Sequence, residues 1–252
     1  MAGLSTILNT PVLIHGIGSG VLQSVSGKVL ELKTAQSMKL DVKATTEDQY
    51  GGDSLFPLYT FITKKEGTIE IQNADFKLSQ LAIAQDSDYA TDGNKQLMNF
   101  LITKDSKKLG DDADTFTGVE VVSIITPSGQ KADANVFSIS DAGAITVGEG
   151  ATVEDGEYSV WVKVDNKEAV SAAMLKNAMP EVCSFNWQFR TEDADGNKYQ
   201  VDIEARRVRA DGEFALDTER DKASTPTLKV NILDPGNGHD DFAKITVSKI
   251  KK

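Results

Sequence analysis

The chain of 252 residues holds one cysteine and two histidines, and each scarcity removes a class of chemistry. A single thiol, Cys183, rules out a disulfide within the chain and any zinc site built on several cysteines. It lies in Val182-Cys183-Ser184-Phe185, at the start of a strand-like run, where a buried and inert thiol is expected. A thiolate nucleophile would need a histidine base, and only His15 and His239 are on offer. No serine-nucleophile elbow is present, and none of the many carboxylates stands in a recognisable catalytic setting. Long apolar runs are missing too: nothing approaches the roughly 18–20 residues of a membrane span. The start, Met1-Ala2-Gly3-Leu4-Ser5-Thr6, lacks the basic opening and apolar stretch of a secretory signal. The expectation is a protein made and kept in a cytoplasm unless a larger particle carries it out, with no membrane partner. Basic charge is also short, with 27 Lys and Arg against 38 Asp and Glu, a net charge of −11. Tight binding to a phosphate backbone needs clustered cations, so it is disfavoured, whereas nucleic acid passing without sticking is not.

What the chain has in quantity is period-two alternation, the mark of half-buried strands. Met38, Leu40 and Val42 alternate with Lys39, Asp41 and Lys43. The run Lys28–Lys33 before them is expected to pair with that strand through Thr34-Ala35-Gln36. Strands follow at Leu58–Thr63 and Gly67–Ala74. In the last third, Phe185, Trp187 and Phe189 lead through an Asp195-Gly196 turn to Tyr199, Val201, Ile203 and Ala205. A second turn at Asp211-Gly212 leads to strands at Glu213–Thr218 and Thr227–Leu233. The pattern is that of an antiparallel meander, and the fold class expected is mainly β with one or two short helices.

Helix signals are sparse. Asp75 as N-cap before Phe76, Leu78, Leu81, Ala82 and Ile83 predicts one amphipathic helix. Lys95–Ile102 and Ala169–Met179, the latter closed by Pro180, are short-helix candidates. Residues 112–166 read as β-rich, with short strands between Pro127-Ser128-Gly129, Asp141-Ala142-Gly143 and Glu154-Asp155-Gly156. They are either an inserted immunoglobulin-like subdomain or a continuation of the main sheets. With the insertion, 1–111 and 167–252 form the two halves of one larger domain. Residues 44–57 show no alternation and exceed the usual hairpin connection. Their Tyr50, Leu55 and Phe56 favour a contact loop over a merely solvated one.

Three motifs invite chemistry and fall short of it. Gly16-Ile17-Gly18-Ser19-Gly20 has Val21 where a dinucleotide fingerprint needs glycine, and extended sequence follows where a helix is needed. Asp193-Ala194-Asp195-Gly196-Asn197 with Glu204 imitates a calcium loop, but Lys198 occupies the obligatory glycine position and strands flank it. Arg206-Arg207-Val208-Arg209 is the one dense basic spot, better suited to a strand end or an acidic neighbour than to nucleic acid. The closing Lys249-Ile250-Lys251-Lys252 reads as a soluble end. No cofactor or metal is expected.

The run from Ile62 to Phe76, ending Gln72-Asn73-Ala74-Asp75-Phe76, resembles the strand-to-helix segment of phage tail-tube proteins. The closing meander is similar to theirs: Asp195-Gly196-Asn197, Val201–Val208, Gly212–Leu216 and Leu228–Asp234. Val136–Val147 with Gly156–Val164 looks like a strand, glycine turn, strand module of tail proteins. The resemblance implies a tail-tube-type β-sandwich or barrel with no catalytic role. It implies a virion tail component assembled in the host cytoplasm as stacked, usually hexameric, rings around a DNA-ejection channel. Partners implied are other copies of the chain, the tape-measure protein and passing DNA in the lumen without specific binding, and sheath or other tail proteins. The polar sheet face with Glu31, Asp41, Glu70, Asp202 and Glu204 is the lumen candidate, since an acidic wall repels phosphate. Tyr50, Leu55 and Phe56 are the inter-subunit candidates. A capsid decoration protein or a baseplate or connector component is the alternative reading of the same modules.

Overall fold

A computed structural model of the chain describes residues 12–13, 16–53, 55–91, 93–111, 114–133, 136–215, 220, 225–236 and 238–250. His15, Asp112, residues 1–11 of the N-terminal arm and the expected strand residues 216–218 lie outside the described residues. The protein is mainly β and its sheets are antiparallel, as the alternation predicts. The strands are β1 (Val12–Leu13), β2 (Ser19–Ser24), β3 (Val29–Leu32), β4 (Ala35–Gln49), β5 (Tyr59–Asn73), β6 (Tyr89–Ala90), β7 (Lys95–Ile102), β8 (Glu120–Ile125), β9 (Phe137–Ile139), β10 (Ile145–Val147), β11 (Tyr158–Asp165), β12 (Ser171–Ala172), β13 (Val182–Asp193), β14 (Lys198–Ala210), β15 (Thr227–Ile232) and β16 (Lys244–Lys249). Among the described residues there is one helix, α1 (Leu78–Gln85), between β5 and β6, and it is not long and apolar enough to cross a membrane.

Packing divides the chain into two compact units, residues 1–88 with 172–252, and residues 89–171. In the first, a nine-stranded sheet runs in the order β3-β2-β13-β14-β15-β5-β4, with β1 joining β13 and β16 joining β14. The expected pairing of Lys28–Lys33 with Ser37–Lys43 is not made: β3 pairs β2, β4 pairs β5, and β3 and β4 end the order at opposite extremes. Yet only Lys33 and Thr34 separate them, so the extremes meet within roughly 10 Å. The sheet must therefore curl over on itself. It does so around β14, where Arg206 and Arg207 together face Ser184 in a β-bulge that bends the strand. Beyond the bulge β14 changes partner, from β16 at Tyr199–Glu204 to β15 at Val208–Ala210. The result is sandwich-like. Leu22, Leu30, Phe185 and Trp187 on one wall pack in a single core with Ile69, Ile71, Leu228 and Val230 on the other. No closed barrel forms among the described strands.

Helix α1 adds Ile83 and Ala84 to this core. Its N-cap is Lys77, without a side-chain cap bond, rather than Asp75, whose carboxylate accepts from the Thr34 hydroxyl. Both other helix candidates are absent. Lys95–Ile102 is strand β7, paired with β11 along all eight residues. Its apolar residues sit on both faces, Ile102 inside and Leu97 and Leu101 outside, which hides the period of two. Residues 169–179 hold only the short β12, which pairs with β6.

The second unit has a three-stranded sheet β7-β11-β8 and a two-stranded sheet β9-β10. Its separate core gathers Tyr158, Val160 and Val162 of β11 with Ile102, Leu109 and Phe137. Phe137 meets Tyr158 edge-on with ring centres 4.9 Å apart. The β-rich segment 112–166 lies inside this unit, which starts earlier, at Tyr89, and runs to Ser171.

Candidate assembly surfaces

The first six residues of the loop expected over 44–57 are strand. Ala44–Gln49 continues β4 and pairs with Tyr59–Lys65 of β5, leaving a connection of residues 50–58. β15 covers β5 only from Gly67 to Gln72, so the outer half of the β4–β5 hairpin has no third strand in the described structure. Every residue described from Lys43 to Gln49 and from Leu55 to Glu66 is exposed. The tip places Tyr50, Leu55 and Phe56 outward, with Leu55 93% exposed, and adds Leu58, Tyr59, Phe61 and Ile62 to them. The last four were not singled out from sequence. Large apolar groups occupy both faces of the run 58–62, so no polar face marks its exposed side. A ribbon this apolar and this exposed carries a large uncovered patch.

The five candidate acids occupy the outward side of the curled sheet, and the curl separates them. Leu40 of β4 and Val201 of β14 line one cavity from its two walls. Their sequence neighbours Asp41 and Asp202 point the other way, so they leave the sandwich on opposite sides. Glu31, Asp202 and Glu204 come together on one wall, in a cleft of about 360 Å³ shared with Lys33, Asn186 and Gln188. Asp202 accepts from Gln200 Nε2 at 2.8 Å, and Glu204 stands opposite Asn186 on β13 and Lys244 on β16. Glu31 meets Lys33 at 2.7 Å. Asp41 and Glu70 share the other wall with more cations. The ammonium of Lys39, 2.5 Å away, holds the Asp41 carboxyl below the usual range, and Glu70 sits between Lys39 and Lys229 in register. The two sets therefore cannot line the same surface of one copy.

In the nine-stranded sheet, β1, β3, β4 and β16 each have a single partner among the described strands. Lysines mark two of them, Lys39 and Lys43 on β4 and Lys244 and Lys249 on β16, the usual guard against unwanted edge pairing. β16 pairs six residues of β14, so Lys249 ends a strand rather than a loose tail.

The remaining motifs have structural roles. Gly18 and Gly20 pass so close to β13 that a Cβ would stand 2.2 Å from the Gln188 carbonyl oxygen and 2.4 Å from the Trp187 ring. Asp193 closes the β13–β14 turn, accepting from the backbone N–H groups of Asp195 and Asn197, from the Asn197 amide and from the Tyr199 hydroxyl. Burial pushes its carboxyl up, but these bonds outweigh burial and hold it below the usual range. Arg206 lies 3.8 Å from Asp241, and Arg207 donates to the Asp234 carbonyl, both at the bulge. Burial, with Glu181 and Asp86 nearby, pushes the Cys183 thiol up to about 11, so it stays protonated and unreactive at neutral pH. No cluster of His, Cys, Asp and Glu among the described residues could hold a metal ion.

No curated protein matches the sequence. The model of the YomU/Tube protein family matches residues 21–245. With nearly the whole chain covered, the protein belongs to this family of phage tube proteins.

Proposed function

We propose that copies of this chain form hexameric rings that stack into the tube of a phage tail, assembled in the host cytoplasm, with DNA ejected through the channel. The role is structural. The observation that carries the reading is the β4–β5 arm, whose outer half and apolar tip are exposed on a single copy. Exposed apolar surface of this extent gains free energy when a neighbour covers it, at about 25 cal/mol per Å². Tyr50, Leu55 and Phe56 are the inter-subunit contacts at its end. The open edges of β3 and β4 supply edge-to-edge pairing around a ring, which closes otherwise hazardous strands.

The wall bearing Glu31, Asp202 and Glu204 faces the lumen in this reading, in preference to the wall bearing Asp41 and Glu70. Three acids gather there beside Asn186 and Gln188 as well as Lys33 and Lys244, whereas the other wall sets Asp41 and Glu70 among Lys39, Lys43 and Lys229. Phosphate is repelled more strongly there, so DNA and the tape-measure protein slide past without specific binding. Electron microscopy of the purified protein tests the reading. Hollow tubes or stacked rings are expected, and a monomer that persists at high concentration would overturn it.

A further inference from the structure

The chain leaves its first unit once, after Asp88, and returns to it once, at Ala172. Each unit fastens its own two ends. In the first, Ser87 is fully buried, and its hydroxyl donates to the Ala173 carbonyl at 2.5 Å. Its N–H donates to the Ala82 carbonyl at 3.1 Å, and Lys28 holds the neighbouring Asp86 at 2.9 Å. In the second, the same task falls to Asn94. Its amide nitrogen donates to the carbonyls of Ala90 at 2.5 Å and Ala169 at 2.8 Å, and its amide oxygen accepts from the Ser171 hydroxyl at 2.6 Å. The Asn166 N–H adds a bond to the Asn94 carbonyl at 3.0 Å.

The packing follows the same division. Among the described residues, the core around Phe185 and Trp187 draws nothing from 89–171, and the core around Tyr158 draws nothing from outside that range. The nine-stranded sheet and the β4–β5 arm belong wholly to the first unit. We propose that every contact that builds the assembly lies in residues 1–88 and 172–252, and that residues 89–171 are a self-contained module which the assembly carries and can lose. The inference rests on the assembly reading above and says which part of the chain performs it. Two ends pinned side by side, with a core of its own between them, are what allow a domain to be inserted in another without disturbing its fold. Ser87 and Asn94 supply the pins, one on each side of the junction.

Val160→Asp in the full-length chain tests the division, because a carboxylate at this fully buried position has no partner in the second core. Hydrogen exchange read by mass spectrometry should show protection lost across 89–171 and kept in 1–88 and 172–252. The amount of tube seen by electron microscopy should stay within about twofold of the parent, as for sites that do not couple. Loss of tubes with the first unit still protected would overturn the placement of the assembly contacts. Protection lost in both units would overturn the self-contained module. A second variant removes 89–171 outright and joins Asp88 to Ala172 through Gly-Ser-Gly. That bridge reaches roughly 10 Å, between ends that the Ser87–Ala173 bond already holds together. With Trp161 gone, Trp187 fluorescence should report one cooperative unfolding step, and tubes should form. Folded protein without tubes, or no folded protein, would overturn the proposal. A parent chain that forms no tubes would overturn the tube reading and the placement with it, while the exchange pattern would still decide whether 89–171 is a module.

Discussion

The indole nitrogen of Trp187 donates to the carbonyl of Ile17 at 3.0 Å, tying the glycine-rich segment before β2 to the middle of β13. Trp187 is 2% exposed and stacks with Phe185, ring centres 6.0 Å apart, so this bond anchors the segment to the core of the curled sheet. Gly20 lies flat against the same ring. A glycine pattern that imitates a nucleotide-binding loop is therefore a packing device.

Gly20→Ala should destabilise the protein by about 1–3 kcal/mol, because a methyl group there overlaps the Trp187 ring and the Asn186 carbonyl. Gly16→Ala meets no neighbour and should cost about 1 kcal/mol, from its positive φ alone. Denaturant unfolding followed by tryptophan fluorescence measures both, and equal losses would remove the packing explanation.

Replacing Leu55 and Leu58 by aspartate should leave stability within about 0.5 kcal/mol of the parent, as exposed substitutions do. Sedimentation should nonetheless show loss of assembly. Unchanged assembly would sink the role given to the hairpin tip.

The two acidic walls should respond differently to charge reversal. With Asp202→Lys and Glu204→Lys, tubes should still form but should retain added duplex DNA at low salt and release it at high salt. Asp41→Lys and Glu70→Lys should not change DNA retention in the channel. The reverse result would place the lumen on the β4–β5 wall.

Asp193→Asn should lower stability at neutral pH, and the gap from the parent should close as pH falls through the carboxyl's folded value. The folded carboxyl titrates below the unfolded one, normally about 3.9. Between the two values the unfolded chain binds more protons, so the parent gains stability as pH rises and keeps it above them. Asp195→Ala, which removes no side-chain bond seen at the turn, is the control. Thermal melts across acidic pH compare the three, and a gap that does not change with pH would rule out the carboxylate as its source.

Residues 89–171 expressed alone should fold cooperatively, as dispersed amide resonances would show. They carry β7, β8 and β11 with a core of their own. Residues 112–166 alone should not fold, because they lack β7, which pairs β11 along eight residues, and buried Leu109. A folded 112–166 fragment would show that β7 is dispensable.

Much of the fold was legible from residue order. Phe185, Trp187, Val201 and Ile203 announce strands by alternation, and Asp193 to Asn197 announces the turn between them, because period and turn chemistry act over a few neighbouring residues. The shortage of cysteine and histidine likewise points away from thiol and imidazole catalysis. Where apolar residues fill both faces, as in Leu97 to Ile102, the local period disappears and a strand reads as helix. Pairing partners are non-local as well. β3 and β4 are two residues apart yet pair with β2 and β5, because burying Leu30 and Ile69 in one core requires the sheet to curl. That curl, centred on the Arg206–Arg207 bulge, sends Asp41 and Asp202 to opposite sides. Sequence by itself determined that the chain is alternating β structure with one polar side. Only the tertiary structure decided which polar residues share a surface, since a sheet's direction in space depends on how it bends around its core.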